Sequence, residues 1–150
     1  MAEHTETTTT LNTLIATLLD SIEGYQKSAG EVDNPRFAEM FNARARERQQ
    51  AVAKLQAAVA ASGGNPEDDG SVLGGLHRAF ESLREAVSSK DDKAIVSEIE
   101  RGEDYLKEKF VTAQRHTDLT AEGRAAVNTA WESVQAGHAE MSELKHTMDA

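Results

Sequence analysis

Apolar residues recur at helical spacing along most of the chain, and five segments repeat this pattern. In the first segment, residues 9–29, the apolar positions are Leu11, Leu14, Ile15, Leu18, Ile22, Tyr25 and Ala29. Residues three and four apart lie on one face of an α-helix, so this spacing predicts an amphipathic helix. Gly30 follows directly, and glycine commonly ends a helix.

Four further segments have the same period, and residues that cap helices stand at their starts. They cover approximately residues 35–62, 72–88, 92–116 and 121–147. Asn34 and Pro35 supply a cap and a first-turn proline. Asp91 or Asp92 is expected to cap the segment that ends near residue 116, and Thr120 the last one. The pattern therefore predicts four long helices and one short helix.

The short predicted helix, 72–88, separates two pairs of long ones. With its flanking loops it makes a long connection between two antiparallel hairpins, and a bundle with one long crossover has the ferritin-like topology. We therefore predict an all-α fold, a ferritin-like up-down four-helix bundle with an extra short crossover helix. It forms a single domain over residues 9–148, and residues 1–8 are expected to be a disordered N-terminal tail.

Composition excludes several classes of protein. The absence of cysteine excludes disulfides, thiolate metal sites and cysteine nucleophiles. A net charge of −10, from 26 acidic and 16 basic residues, argues against a nucleic-acid partner. No apolar run approaches the roughly 20 residues that span a bilayer, and the first residues lack the regions of a secretory signal. We expect a cytoplasmic protein that binds neither nucleic acid nor membranes.

Five short motifs, spread over most of the chain, carry a family resemblance. They are Leu11-Asn12-Thr13-Leu14-Ile15, Ile22-Glu23-Gly24-Tyr25, Gly63-Gly64-Asn65-Pro66-Glu67, Leu76-His77-Arg78 and Glu100-Arg101-Gly102-Glu103-Asp104. Together they resemble the DUF2383 family of four-helix-bundle proteins in the ferritin-like superfamily, over residues 11–144. The resemblance implies a ferritin-like bundle in a bacterial cytoplasm, often associated with stress conditions, and it implies no particular activity.

Ferritin-like di-metal sites use one Glu from each of two helices and a Glu-x-x-His motif from each of the other two. The candidate ligands in this chain are Glu23, Glu47, Glu100, Glu103, Gln135 and His138. Gln135 stands where the last helix needs a carboxylate, and the second helix has Gln50 where it needs a histidine. We therefore expect an incomplete site and no cofactor. The alternative is an atypical iron or manganese site with oxidase or storage activity.

Several polar residues interrupt the apolar faces. Glu103 and His138 lie on the faces of two helices, and His138 could donate a hydrogen bond to Glu103 or Glu100. Arg44 and Arg48 lie on the apolar face of the second helix, where arginine requires a partner. Either Arg44, Arg48, Glu103 and His138 form an internal network in place of a metal, or both arginines extend along their aliphatic stems to solvent.

These observations favour a non-catalytic bacterial protein, associated with stress, that acts as a structural or interaction module. The wide apolar face of the first helix is compatible with a homodimer, and a contiguous apolar surface patch would indicate a further protein partner. The competing hypothesis is a metal-binding protein with oxidase activity. Geometry separates the two, because metal ligands must converge on a common ion.

Overall fold

The computed structural model describes residues 2–67, 91–116 and 118–149 of the chain. Its four helices are α1 (Ala2–Glu31), α2 (Pro35–Ala61), α3 (Asp92–Gln114) and α4 (Ala121–Asp149). All regular elements in these ranges are helices, which confirms the all-α prediction. None of these helices combines the length and apolarity that crossing a membrane requires. The predicted crossover helix at 72–88 lies outside the described residues.

The four helices surround one core. α1 packs against α2 and α3, and α4 packs against the same two helices, so that α1 and α4 lie on a diagonal with little direct contact. The core contains the apolar faces that the sequence predicts, including Leu11, Leu18, Phe41, Leu55, Ile99, Leu106, Phe110, Val134 and Met141. Burial of these faces stabilises helices whose intrinsic propensities alone would not hold them in water.

Two adjacent aspartates, Asp91 and Asp92, accept backbone hydrogen bonds at one end of the bundle, Asp91 within α3 and Asp92 from the turn between α1 and α2. Asp91 caps α3, because its Oδ1 accepts a hydrogen bond from the backbone N–H of Ala94 at 2.8 Å. The carboxylate of Asp92 accepts from the backbone N–H groups of Asp33 and Asn34, at 2.8 and 3.0 Å. The turn between α1 and α2 is therefore tied to the start of α3, which sets the relative levels of three helices.

Helix α1 begins at Ala2, so it includes residues that were expected to form a disordered tail over 1–8. Thr7 is fully buried, and its hydroxyl accepts a hydrogen bond from the backbone N–H of Thr120 at 2.8 Å. A Cβ atom at Gly123 would lie only 2.6 Å from Thr7 Cγ2, so glycine permits this contact. Threonine is a weak helix former, and a contact with a distant segment outweighs that preference here.

The docking of Thr7 can be tested by replacing it with valine, which has nearly the same shape and no hydroxyl. The Thr120 N–H loses its acceptor, and we expect the free energy of unfolding to fall by about 1 kcal/mol. The matched control is Thr5→Val, since Thr5 is exposed. Urea unfolding followed by circular dichroism compares the two variants. Equal stabilities would mean that the hydrogen bond from Thr120 to Thr7 does not stabilise the fold.

Candidate functional site

An ion pair lies in the interior of the bundle, between α2 and α3. Arg48 is 0% exposed and Glu103 is 2% exposed. Arg48 Nη1 donates to Glu103 Oε1 at 2.9 Å, and Nη2 donates to Oε2 at 2.8 Å. The planar guanidinium thus meets the carboxylate with two parallel hydrogen bonds, the strongest arrangement available to these groups. Each charge is neutralised by the other within the apolar core.

Two side chains of α1 complete this arrangement. The Tyr25 hydroxyl donates to Glu103 Oε1 at 2.6 Å, and Arg48 Nη1 donates to Ser21 Oγ at 2.8 Å. The guanidinium carbon of Arg48 lies 5.7 Å from the centre of the Tyr25 ring, within the range of a cation–π contact. We call Ser21, Tyr25, Arg48 and Glu103 the interior cluster. It leaves both oxygens of Glu103 occupied by donors.

Helix α4 contributes to the interior cluster by having no side chain at Gly137. A Cβ atom there would overlap Arg48 Nη2 and would lie 3.2 Å from Glu103 Oε2. Glycine inside a helix is unfavourable by about 1 kcal/mol relative to alanine, so this position has a local cost. The space left by the missing side chain admits the Arg48 guanidinium, which offsets this cost. Residues of all four helices therefore surround the cluster.

Burial and the neighbouring charges shift the pKa values of two members of the cluster. Burial raises the pKa of the Tyr25 hydroxyl well above its ordinary value, and the negative charge of Glu103 raises it further. Burial lowers the pKa of Arg48, but the charge of Glu103 outweighs this effect and the pKa of Arg48 is raised overall. The cluster therefore contains a permanent cation, its carboxylate partner and a neutral phenol.

The raised pKa of Tyr25 predicts a loss of stability at alkaline pH. Below about pH 10 the phenol keeps its proton in both the folded and the unfolded chain. Above that pH the unfolded chain releases the proton while the folded chain holds it, so the free energy of unfolding falls until the pH reaches the folded-state pKa. We expect Tyr25→Phe to lack this fall, as measured by urea unfolding at a series of pH values.

The control for this experiment is Tyr105→Phe, because Tyr25 and Tyr105 are the two tyrosines of the chain. Tyr105 is half-buried and its ring faces Lys109 Nζ at 5.3 Å, away from the interior cluster. This variant should keep the alkaline fall that Tyr25 causes. The account of Tyr25 would be wrong if Tyr25→Phe lost stability above about pH 10 as steeply as the unmodified protein does.

Arg44 lies outside the interior cluster, although it shares a helix face with Arg48. Its Nη1 donates to Glu47 Oε1 at 2.7 Å and its Nη2 donates to Glu140 Oε1 at 3.1 Å, with the side chain 10% exposed. The two arginines thus follow different alternatives. Arg48 forms the internal pair, and Arg44 reaches the boundary between α2 and α4.

His138 also lies outside the cluster, and this corrects the expectation that it would bond to Glu103 or Glu100. Its Nε2 is 2.6 Å from Asp104 Oδ1, and the histidine side chain is 22% exposed. Glu103 is already engaged in the interior, and Asp104, next in sequence, points about 100° around the helix from it. Glu100 instead accepts a hydrogen bond from Lys145 Nζ at 3.2 Å.

The six candidate metal ligands are not brought together. Glu103 is the one of the six that is buried, while the side chains of Glu23 and Glu47 are 52% and 45% exposed and Gln135 is exposed. Glu23 is paired with Lys27 at 3.7 Å. Among the described residues, no group of three or more His, Asp or Glu side chains is arranged to hold a metal ion.

Sequence reasoning missed three contributors to the site. The periodicity places Tyr25 on the apolar face of the first helix, and the sequence pattern assigns no role to Ser21 or Gly137. A signal was present in part, because Ser21 and Tyr25 are four residues apart and therefore share a face with the core leucines. A glycine within a long helical run, as at Gly137, also suggests close approach by another group.

One family model matches most of the chain. The model of the family described as a domain of unknown function, DUF2383, matches residues 6–116. That range includes the four side chains of the interior cluster, on α1, α2 and α3. No curated protein and no solved structure matches the chain.

Proposed function

The chain belongs to the DUF2383 family, and we propose that it is a non-catalytic structural or interaction protein. In this proposal it acts as a homodimer in a bacterial cytoplasm, under stress conditions, and its bundle is a ferritin-like one that no longer holds a complete di-metal site. The observation that carries the proposal is the buried pairing of Arg48 with Glu103. A guanidinium then occupies the place beside the interior carboxylate that a metal ion would need.

The chemistry of the interior cluster supports this reading. Glu103 Oε1 accepts from both Tyr25 and Arg48, and Oε2 accepts from Arg48. Arginine cannot lose its proton in a protein, so the positive charge beside Glu103 is permanent. A second cation entering this apolar space would meet strong repulsion, because like charges interact strongly where water is excluded. Metal binding at Glu103 would require Arg48 to leave the interior.

The competing proposal, an iron or manganese protein with oxidase or storage activity, needs an imidazole and several carboxylates around one ion. His138 lies with Asp104 instead, and Glu100 lies with Lys145. Nothing in the described geometry favours this proposal over the first one.

Elemental mass spectrometry separates the two proposals. The protein is purified without chelator or affinity metal and is measured before and after incubation with ferrous iron or manganous ion. We expect metal far below one equivalent in both samples, and no faster oxidation of ferrous iron in air than without protein. The proposal is overturned by near-stoichiometric metal that is lost in Glu103→Gln or His138→Ala.

A further inference from the structure

A groove of about 350 Å³ lies on the outside of the bundle, where α2 meets α4. Six residues from the first half of α2 line it together with Glu140 of α4; the six are Arg36, Glu39, Met40, Ala43, Arg44 and Glu47. Four of them, at positions 36, 40, 43 and 47, follow the alternating four- and three-residue spacing of a helix-packing seam. This groove is separate from the interior cluster.

Charged groups in the groove have unused bonding capacity. Arg36 and Glu39 are exposed, and neither side chain takes part in an ion pair within the described ranges. Glu47 accepts from Arg44 and from the Ser133 hydroxyl, and both bonds end on Oε1. These two bonds hold the Glu47 carboxylate in place, and the Glu47 side chain is 45% exposed, with no hydrogen bond from the described residues to Oε2. The groove therefore presents a fixed acceptor, Glu47, and a cation, Arg36, that pairs with no carboxylate in the part of the chain that the structure describes.

The seam of one copy is complementary in charge to the seam of a second copy that runs in the opposite direction. In an antiparallel copy related by a twofold axis between Phe41 and Asn42, Arg36 lies opposite Glu47 of the second copy. Met40 lies opposite Ala43 of the second copy, so the apolar positions meet at the centre. A twofold interface requires this property, because the same patch must recognise itself.

The charged residues beside the seam, Glu39 and Arg46, are also complementary to those of an antiparallel second copy. Glu39 and Arg46 are seven residues apart, so they project from the same side of α2. In antiparallel helix pairs the flanking positions of one helix face the same flank of the other. Glu39 therefore comes within one helical turn of the second copy's Arg46, which is exposed. Both pairings, of Arg36 with Glu47 and of Glu39 with Arg46, therefore join opposite signs.

We propose that this face of α2 is the homodimer interface, and that its occupant is the same face of a second copy in antiparallel orientation. The proposal rests on the proposed function in one respect, the homodimer. Because charge complementarity sets the register, the dimer should weaken as the salt concentration rises. The interior cluster takes no part in it.

A charge-swap experiment tests the interface. Arg36→Glu places glutamate opposite Glu47 at both ends of the seam, and Glu47→Lys places lysine opposite Arg36. Each variant alone should dimerise at least about tenfold more weakly than the unmodified chain, as measured by analytical ultracentrifugation. An equimolar mixture of the two should form a heterodimer of unmodified strength, since both of its seam pairs again join opposite charges. Native mass spectrometry identifies that heterodimer.

The matched control is Arg101→Glu, which makes the same change on the exposed side of α3, across the bundle from α2. It should dimerise as the unmodified protein does, and circular dichroism should confirm that all variants are folded. Dimers of both single variants at full strength, or a mixture that does not recover, would overturn this interface and leave the homodimer standing. A monomeric unmodified protein would overturn both, and the account of the interior cluster would be unaffected.

Discussion

Replacing Arg48 with methionine is expected to lower the free energy of unfolding by about 3–5 kcal/mol, the cost of leaving one partner of a buried ion pair uncompensated. Methionine has a similar length and fills most of the volume. Glu103 would remain 2% exposed with its charge uncompensated, and among the described residues the Tyr25 hydroxyl would be its one remaining donor. Since small domains have only about 5–15 kcal/mol of total stability, part of the population should unfold at moderate temperature.

A second variant distinguishes loss of the pair from loss of packing. Arg48→Met combined with Glu103→Leu removes both charges, and we expect it to recover most of the lost stability, because an apolar pair of similar volume costs nothing in desolvation. Adding Tyr25→Phe removes the phenol that would then lack an acceptor. Urea unfolding of the single and combined variants gives the coupling energy. Additive losses would mean that Arg48 and Glu103 do not act as a pair.

The control for the Arg48 change is Arg44→Met. Arg44 shares the helix face with Arg48, but its ion pairs with Glu47 and Glu140 lie at a partly exposed boundary. Glu47 and Glu140 are 45% and 36% exposed, so water can solvate both carboxylates once Arg44 is removed, and this variant should lose less stability than Arg48→Met. Similar losses for the two arginines would contradict the different positions that the structure gives them.

Replacing Gly137 with alanine is expected to destabilise the protein by roughly 2–3 kcal/mol, the cost of forcing extra volume into a packed interior. The direction of the change distinguishes this site from an ordinary one, because a glycine-to-alanine substitution inside a helix normally raises the free energy of unfolding by up to about 1 kcal/mol. The added Cβ would overlap Arg48 Nη2, and Arg48 is held by three hydrogen bonds to Glu103 and Ser21. The guanidinium therefore cannot yield without breaking the pair.

The matched substitution is Gly30→Ala in α1. An added Cβ there meets no atom within 4 Å, so the variant should be as stable as the unmodified protein or slightly more stable. Both glycine variants are compared by thermal unfolding. If Gly137→Ala were as stable as Gly30→Ala, the close approach of Arg48 to α4 would be wrong.

The sequence was sufficient to predict the helices, and the reasons are local. Periodic apolar positions predict the four described helices, and Asn34 and the pair Asp91 or Asp92 predict the starts of two, with Asp91 as the cap in the structure. Helix α1 begins at Ala2 and not near residue 9 as predicted, because Thr7 is held by a hydrogen bond from the backbone of Thr120. Such contacts join segments that are far apart in sequence, and local propensity carries no information about them.

The interior site was harder to predict, for a reason of geometry. A helical wheel indicates which face a residue occupies, but it does not fix the level at which one helix meets the next. Arg48 and Glu103 were both placed on interior faces, and the structure brings them together. His138 was expected to join them, yet it is Gly137, one residue earlier and about 100° away, that faces the pair.

Under the proposed function, the permanent guanidinium of Arg48, bonded to Glu103, occupies the interior position that a metal ion would need. Nuclear magnetic resonance of the arginine side-chain N–H groups tests it directly, with Arg48→Met to assign the signal. We expect the Arg48 protons to exchange slowly with water and to keep their line width when manganous ion is added, while those of exposed Arg36 exchange fast. Rapid exchange of the Arg48 protons, or their selective broadening by manganese, would contradict it.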